Sequence, residues 1–265
     1  MINKILVITA TLGDRDSLKK TIKSVREVGG NDVEHIIVAP EERILRIKEH
    51  YGDIRCLAER KDKNGIYAAL NHGFNSFAQE YEFMTFINDD DYWLPDFRVL
   101  IDIMLKGNYD LVYGRTKYVD AYDVPLGEQT SSKRFSDFIP LMSSNIILLT
   151  QQASIIRSEW YFKLNGFDES YKLVADTKFW AKLSLENIRY RYINCCCAAY
   201  CIQKGQLSSD HETQKIEHER MLNELPAISK NKARLNKIRF RIENFVIYFK
   251  RFLFEKRISN PFLWG

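Results

Sequence analysis

The feature that most constrains this chain is an apolar run, Phe83–Ile87, that passes without a spacer into Asn88-Asp89-Asp90-Asp91. A short unbroken apolar run reads as a strand covered on both faces, as in a parallel sheet. Three consecutive carboxylates therefore stand at the end of a core strand. Lys4–Ala10 and His35–Ala39 are runs of the same kind, and Ile54–Leu57 is a shorter one. Between them Leu18, Ile22 and Val25, then Ile66, Leu70, Phe74 and Phe77, recur at helical spacing, and Pro40–Tyr51 reads as a further helix. Strands alternating with helices predict an α/β fold with a mostly parallel central sheet and right-handed crossovers. Such sheets bind ligands at the carboxyl ends of their strands, where the acidic cluster sits.

The punctuation agrees with this reading. Asp14 or Asp16 is placed to cap the first helix, and Gly29-Gly30 ends it. Beyond the acidic cluster the order is less regular. Strands are expected at Leu111–Tyr118, Ala153–Ile156 and Tyr190–Ile202, and helices at Ser136–Leu141 and Leu173–Glu186. Gly205–His211 is a polar loop, and helices follow. The expected division is a catalytic domain over 1–211 and a helical region over 212–265. At 265 residues and 45% hydrophobic, the chain can bury one domain of ordinary size plus an appendage. Five Cys (Cys56, Cys195, Cys196, Cys197 and Cys201) lack the Cys-x-x-Cys pairing of a zinc site and read as small buried hydrophobes in a reducing compartment.

Three constellations carry chemistry. Like charges held together at Asp89, Asp90 and Asp91 repel one another unless a cation is present, and oxygen-only clusters suit Mn²⁺ or Mg²⁺. A solvated acidic turn is the alternative. Gly65-Ile66-Tyr67-Ala68-Ala69-Leu70-Asn71 opens a helix with small residues, which lets a phosphate approach the helix N-terminus; an ordinary helix with a flexible start is the alternative. Asp176 falls in the first turn of its helix, either as a dipole partner or as a general base aimed into the cleft.

Four blocks in order resemble the family 2 glycosyltransferases of bacterial surface-polysaccharide synthesis, which have the GT-A fold, a Rossmann-like nucleotide-diphospho-sugar transferase architecture. They are Thr9-Ala10-Thr11; Glu59 with Gly65–Asn71; Phe86–Asp91 with Pro95; and Gln151-Gln152-Ala153 with Gly166-Phe167-Asp168-Glu169 and Ala175-Asp176. They span roughly residues 3 to 210. The resemblance implies that Thr9, Thr11, Glu59, Gly65, Asn71, Asn88, Asp89 and Gln152 border the nucleotide sugar. It implies that Asp90, with Asp91 second, takes the metal of a DXD-type segment, and that Asp176 is the catalytic base of an inverting hexosyltransferase. His211 follows the last strand and is a candidate for the metal or a phosphate, with a solvent-exposed loop His as the alternative. The sequence departs from the family where an acid should end the second strand: Ala39 and Pro40 stand there, and Glu41 and Glu42 come after.

The resemblance further implies a UDP-sugar donor and a polyprenyl-pyrophosphate-linked sugar acceptor, as in O-antigen and lipopolysaccharide assembly. A non-catalytic scaffold that binds nucleotide sugar or glycan is the second reading, motivated by Ala39. A sugar-1-phosphate nucleotidyltransferase ranks third, because the loop Thr11–Arg15 has one Gly and one Arg rather than a basic Gly-rich phosphate loop.

Charge is distributed unevenly. Residues 230–257 hold ten Lys/Arg against two Glu, leaving the rest of the chain mildly acidic at a total of +4. Apolar residues at 235, 238, 242, 245, 246, 249 and 253 form a helical stripe, with Phe240, Phe252, Phe254 and Trp264 as further anchors. A basic amphipathic helix of this kind suits the headgroup plane of an anionic membrane surface. Packing on the body and a homodimer contact are the alternatives. Nucleic acid is set aside, since the aromatics are not interleaved with Gly and the body is acidic. No signal peptide and no run of 18 apolar residues is present, so the expected location is cytoplasmic, peripheral to the inner face of the cytoplasmic membrane.

Overall fold

The computed structural model describes residues 5–203, 206 and 210–255. Lys4, most of the loop 204–209 and Trp264 lie outside the described residues, as does the side chain of Phe254. The α/β class expected from the sequence is present. The strands are β1 (Ile5–Ala10), β2 (Val33–Ala39), β3 (Arg55–Ala58), β4 (Phe83–Phe86), β5 (Tyr92–Trp93), β6 (Leu111–Asp120), β7 (Pro125–Glu128), β8 (Ser154–Arg157) and β9 (Tyr190–Ile202). The helices are α1 (Leu18–Gly29), α2 (Glu41–Tyr51), α3 (Ile66–Phe77), α4 (Phe97–Lys106), α5 (Phe138–Met142), α6 (Ser158–Lys163), α7 (Ala175–Leu183), α8 (His211–Glu224), α9 (Lys230–Glu243) and α10 (Phe245–Lys250).

All nine of these strands form one sheet, eight of them in the order β3-β2-β1-β4-β8-β6-β9-β5, with β7 paired to β6 off that path. The first four strands in that order are parallel. β8 enters antiparallel to both β4 and β6, whereas β6 and β9 run parallel. Successive β1 side chains take opposite faces, as the period of two requires. Leu6 and Ile8 join the core that also contains Leu70 and Phe74 of α3; Ile5 and Val7 join the core built on Phe97, Leu100 and Ile101 of α4. Strands buried on both sides explain why they appear in the sequence as continuous apolar runs.

Some local expectations change. Ser17, not Asp14 or Asp16, precedes α1, and its side chain makes no capping bond. β7, the two-residue β5 and the short α6 lack the length or periodicity that would announce them in sequence. β7 is reached through a turn in which Asp123 adopts φ 63°.

The C-terminal helices pack on the body. Met221 of α8 and Phe240 of α9 enter the larger core. Between α9 and α10 the buried Asn244 donates from Nδ2 to the Ser131 carbonyl at 2.9 Å and accepts from the Ser131 N–H at 3.2 Å. Arg251, 2% exposed, donates to the Glu128 carbonyl. The apolar stripe behaves differently: Leu235, Ile238, Ile242, Phe245, Val246, Phe249 and Leu253 are all exposed. No helix among the described residues is long and apolar enough to cross a membrane.

Candidate active site

Because β1 and β4 are parallel neighbours, their carboxyl ends bring Thr11 beside Asp89 and Asp90. A cavity of about 910 Å³ opens there. This is near the upper end of the range for small-molecule sites, roughly 300–1,000 Å³. Thr11, Glu59, Gly65, Asn88, Asp89, Asp90, Asp176 and His211 all line it, although they come from widely separated stretches of chain. Gly65 precedes α3 at φ 104°, a left-handed conformation costly for any residue with a Cβ, and no neighbour lies within 4 Å of where one would stand.

The acidic end is densely bonded. Thr11 donates to Asp89 Oδ2 at 2.6 Å, and Arg15 donates to Asp89 Oδ1 at 3.2 Å and to Asp90 Oδ2 at 2.6 Å. Gln206 Nε2 also donates to Asp90 Oδ2, at 2.7 Å. Burial raises the Asp89 carboxyl above its usual range, and Thr11 and Arg15 oppose that rise. Asp90 therefore presents a carboxylate on the cavity wall with donors already arranged around it.

The other end is held by neutral groups. The Tyr67 hydroxyl lies 2.9 Å from both Asp176 Oδ1 and the Leu173 carbonyl, so its one proton is shared between them. Burial raises the Asp176 carboxyl, while the Thr177 N–H and the Tyr67 hydroxyl pull it back. No cation is among these influences. A carboxylate of raised basicity facing a cavity is suited to accept a proton.

Four residues expected at the ligand stand elsewhere. Thr9 is fully buried within β1 and hydrogen-bonded to His35 Nε2 at 2.9 Å, whereas Thr11 lies past the end of that strand, on the cavity wall. Asn71 is consumed as a latch between α3 and the following segment: it donates to the Phe167 carbonyl and Glu169 and accepts from Tyr161 and the Phe167 N–H. Gln152 is fully buried, and its neighbour Gln151 faces the cavity instead. Asp91 is also fully buried, accepting from the Cys201 N–H at 3.0 Å and from Asn88 Nδ2 at 3.3 Å. It stitches the turn between β4 and β5 to β9, and burial with the charge of Asp90 raises its carboxyl well above the usual range.

The gap left by Ala39 has a structural counterpart. Glu41 pairs with Lys61 and does not line the cavity, whereas Glu59 does. Its N–H donates to the Ala39 carbonyl at 2.9 Å, so it leaves β3 directly beside the end of β2. Burial and the charge of Glu42 raise its carboxyl. Residues that the sequence did not single out also contribute. They are Arg15, Tyr67 and Gln206, and the α8 face of Gln214 and His218 that continues from His211.

Among the described residues no three His, Cys, Asp or Glu side chains are grouped so as to hold a metal by themselves. One hard carboxylate on a cavity wall nevertheless fits Mn²⁺ or Mg²⁺, which keep waters and share ligands with substrate phosphates.

Residues 6–162 match the model of glycosyl transferase family 2. No curated protein matches in sequence. Among solved structures, residues 1–349 of S. aureus TarS in complex with UDP-GlcNAc align over 96% of this chain and 76% of that one, at 14% identity and a TM-score of 0.61. The mannosyltransferase PcManGT from Pyrobaculum calidifontis, in complex with GDP-Man and Mn²⁺, aligns over 90% and 69%, at 13% identity and a TM-score of 0.58.

Proposed function

The chain belongs to glycosyl transferase family 2, with the GT-A fold, and on that premise we propose that it is an inverting transferase moving a hexose from a nucleotide-diphospho-sugar to a lipid-pyrophosphate-linked saccharide. The observation that carries the reading is the single cavity with Asp89 and Asp90 on one part of its wall and Asp176 on another.

The base of the donor enters beside Glu59, whose carboxylate accepts the N3–H of uracil or the N1–H edge of guanine. The diphosphate lies toward the start of α3 and Asp90. Asp90 would hold Mn²⁺ or Mg²⁺, with His211, which also lines the cavity, as a further contact to the metal or a phosphate. The cation supplies neutralisation of the departing diphosphate. Asp176 accepts the proton of the acceptor hydroxyl as its oxygen bonds to the anomeric carbon, and the bond to the diphosphate oxygen breaks with its electron pair. One such displacement inverts the anomeric centre.

The lipid carrier of the acceptor suits a protein at a membrane. The exposed stripe of α9 and α10 supports an anionic surface as partner, on the cytoplasmic face, because Lys237, Arg241 and Lys250 belong to the same helices. Each such cation near an anionic headgroup layer contributes about 1 kcal/mol.

The test is a transfer assay with Mn²⁺, a synthetic sugar-pyrophosphate-lipid acceptor and a panel of UDP- and GDP-hexoses. Product from one donor, lost on adding EDTA, is the expected result. Donor binding without turnover across several lipid-linked acceptors would favour the scaffold reading, in which this chain holds nucleotide sugar or glycan within an assembly complex.

A further inference from the structure

Glu217 lies on α8, 7% exposed, and its carboxylate faces backbone rather than any cation. Oε1 accepts the Lys172 N–H at 2.6 Å, and Oε2 accepts those of Leu173 and Val174 at 2.9 and 3.2 Å. Three successive amides so converged form a concavity that binds an anion. Here the anion is a side chain from 43 or more residues further along the chain. The segment it grips leads directly into α7, whose second residue is Asp176.

The same segment is gripped from the other side. Tyr67 of α3 lies within hydrogen-bonding distance of the Leu173 carbonyl and of Asp176. Farther along, Lys178 of α7 pairs with Glu224 of α8, and Arg220 of α8 bonds Ser170. The amides of residues 172–174 and the carboxylate of Asp176 are therefore fixed between α8 and α3, and the adjoining face of α8 presents Gln214 and His218 to the cavity.

We propose that Glu217 is a positioning residue for the transfer step: by holding the backbone of residues 172–174 it sets Asp176 and Tyr67 at the cavity wall. This rests on the reading of Asp176 as the base. It gives the C-terminal region a part in the chemistry independent of the apolar stripe, which lies on other helices. A misplacement of about 1 Å in such a group lowers turnover on the order of 10²-fold.

The experiment compares Glu217→Gln, Glu217→Ala, Asp176→Asn and Met221→Ala in full-length protein. Kinetics use the donor that the wild type turns over from the UDP- and GDP-hexose panel, and amide hydrogen exchange is followed over residues 170–178. Met221→Ala removes a buried side chain from the same helix and serves as the purely structural control. The expected result is a fall in kcat of ten- to a hundred-fold for Glu217→Ala with donor KM unchanged. Glu217→Gln, which keeps one acceptor oxygen, should fall less. Exchange at 172–174 should quicken in both Glu217 variants and stay slow in Met221→Ala. If Met221→Ala loses as much kcat as Glu217→Ala at a matched Tm, the role is structural support and the proposal fails. If Asp176→Asn abolishes turnover while both Glu217 variants keep wild-type kcat, it also fails, and the base assignment stands. Wild-type turnover in Asp176→Asn would instead remove the base assignment, and the positioning role with it.

Discussion

The two carboxylate ends of the cavity are built on opposite plans. Asp90 sits among charges, an aspartate on either side in sequence and the Arg15 guanidinium at 2.6 Å, with the neutral Gln206 amide at 2.7 Å. Asp176 sits among neutral groups, with a phenol and backbone amides as its partners. The first arrangement surrounds a carboxylate with donors, one of them a cation of the kind that a metal ion replaces. In the second, burial raises the carboxyl, and hydrogen bonds from the Thr177 N–H and the Tyr67 hydroxyl oppose that rise. In the proposed reaction, the first serves charge neutralisation and the second proton transfer.

The sharpest way to break the comparison is Asp176→Asn. General bases contribute about 10²–10⁴-fold, so kcat should fall within that range. Donor affinity measured by calorimetry should stay near wild type. Loss of donor binding instead would mean that this end holds the nucleotide sugar rather than the acceptor's proton.

Next in size is Asp90→Asn, expected to lower kcat about 10²–10³-fold, the scale of losing one electrostatic stabiliser. The Mn²⁺ concentration giving half-maximal rate should rise, as a metal titration would read. An unchanged metal requirement would remove Asp90 as the ligand.

Tyr67→Phe should act more gently. The hydroxyl favours the ionised form of Asp176, so its removal raises that carboxyl further. A base works when ionised, so the acid limb of the kcat–pH profile moves to higher pH, and most activity returns on the alkaline side. A limb that stays in place would show that Tyr67 serves the Leu173 carbonyl alone.

The smallest effect is expected from Asp91→Asn. Its folded-state carboxyl is raised by burial and by Asp90, so the stability it contributes is present in acid and lost as pH rises from the ordinary carboxylate range through the raised value. Asparagine removes that loss and keeps an acceptor for the Cys201 N–H. Turnover should stay within about twofold and Tm at pH 7 should not drop; a marked drop would show that the buried charge itself is needed.

Much of this was legible in the sequence, for identifiable reasons. The parallel half of the sheet announced itself because strands buried on both faces must be apolar throughout, and the cluster Asp89–Asp91 was read from its place at the end of one, while the choice of Asp90 within it and the role of Asp176 came from the family resemblance. Thr11, Glu59 and Gly65 came from the family resemblance. Two of the misses share a cause: one residue of displacement changes the face. Gln151 and Gln152, and Asp90 and Asp91, divide in this way between cavity and core. Thr9 differs: it lies inside β1 against His35, whereas Thr11 lies past the strand's end beside Asp89. Glu217 was illegible for a different reason. Its partners are backbone amides distant in sequence, and no local pattern records which loop a helix will meet. Tyr67 was hidden within an apolar helix start, where an aromatic reads as packing.

The bend between α9 and α10 has a mechanical consequence. Asn244 ties that corner to both the donor and the acceptor of Ser131, and Arg251 ties the next turn to Glu128. The exposed stripe is thereby a foot bolted to the body, not a leash. In the proposed membrane role, that foot would hold the mouth of the cavity at one height and one tilt above the headgroup layer. The reach of the enzyme toward an acceptor is then a matter of the acceptor's length rather than of the protein's wandering.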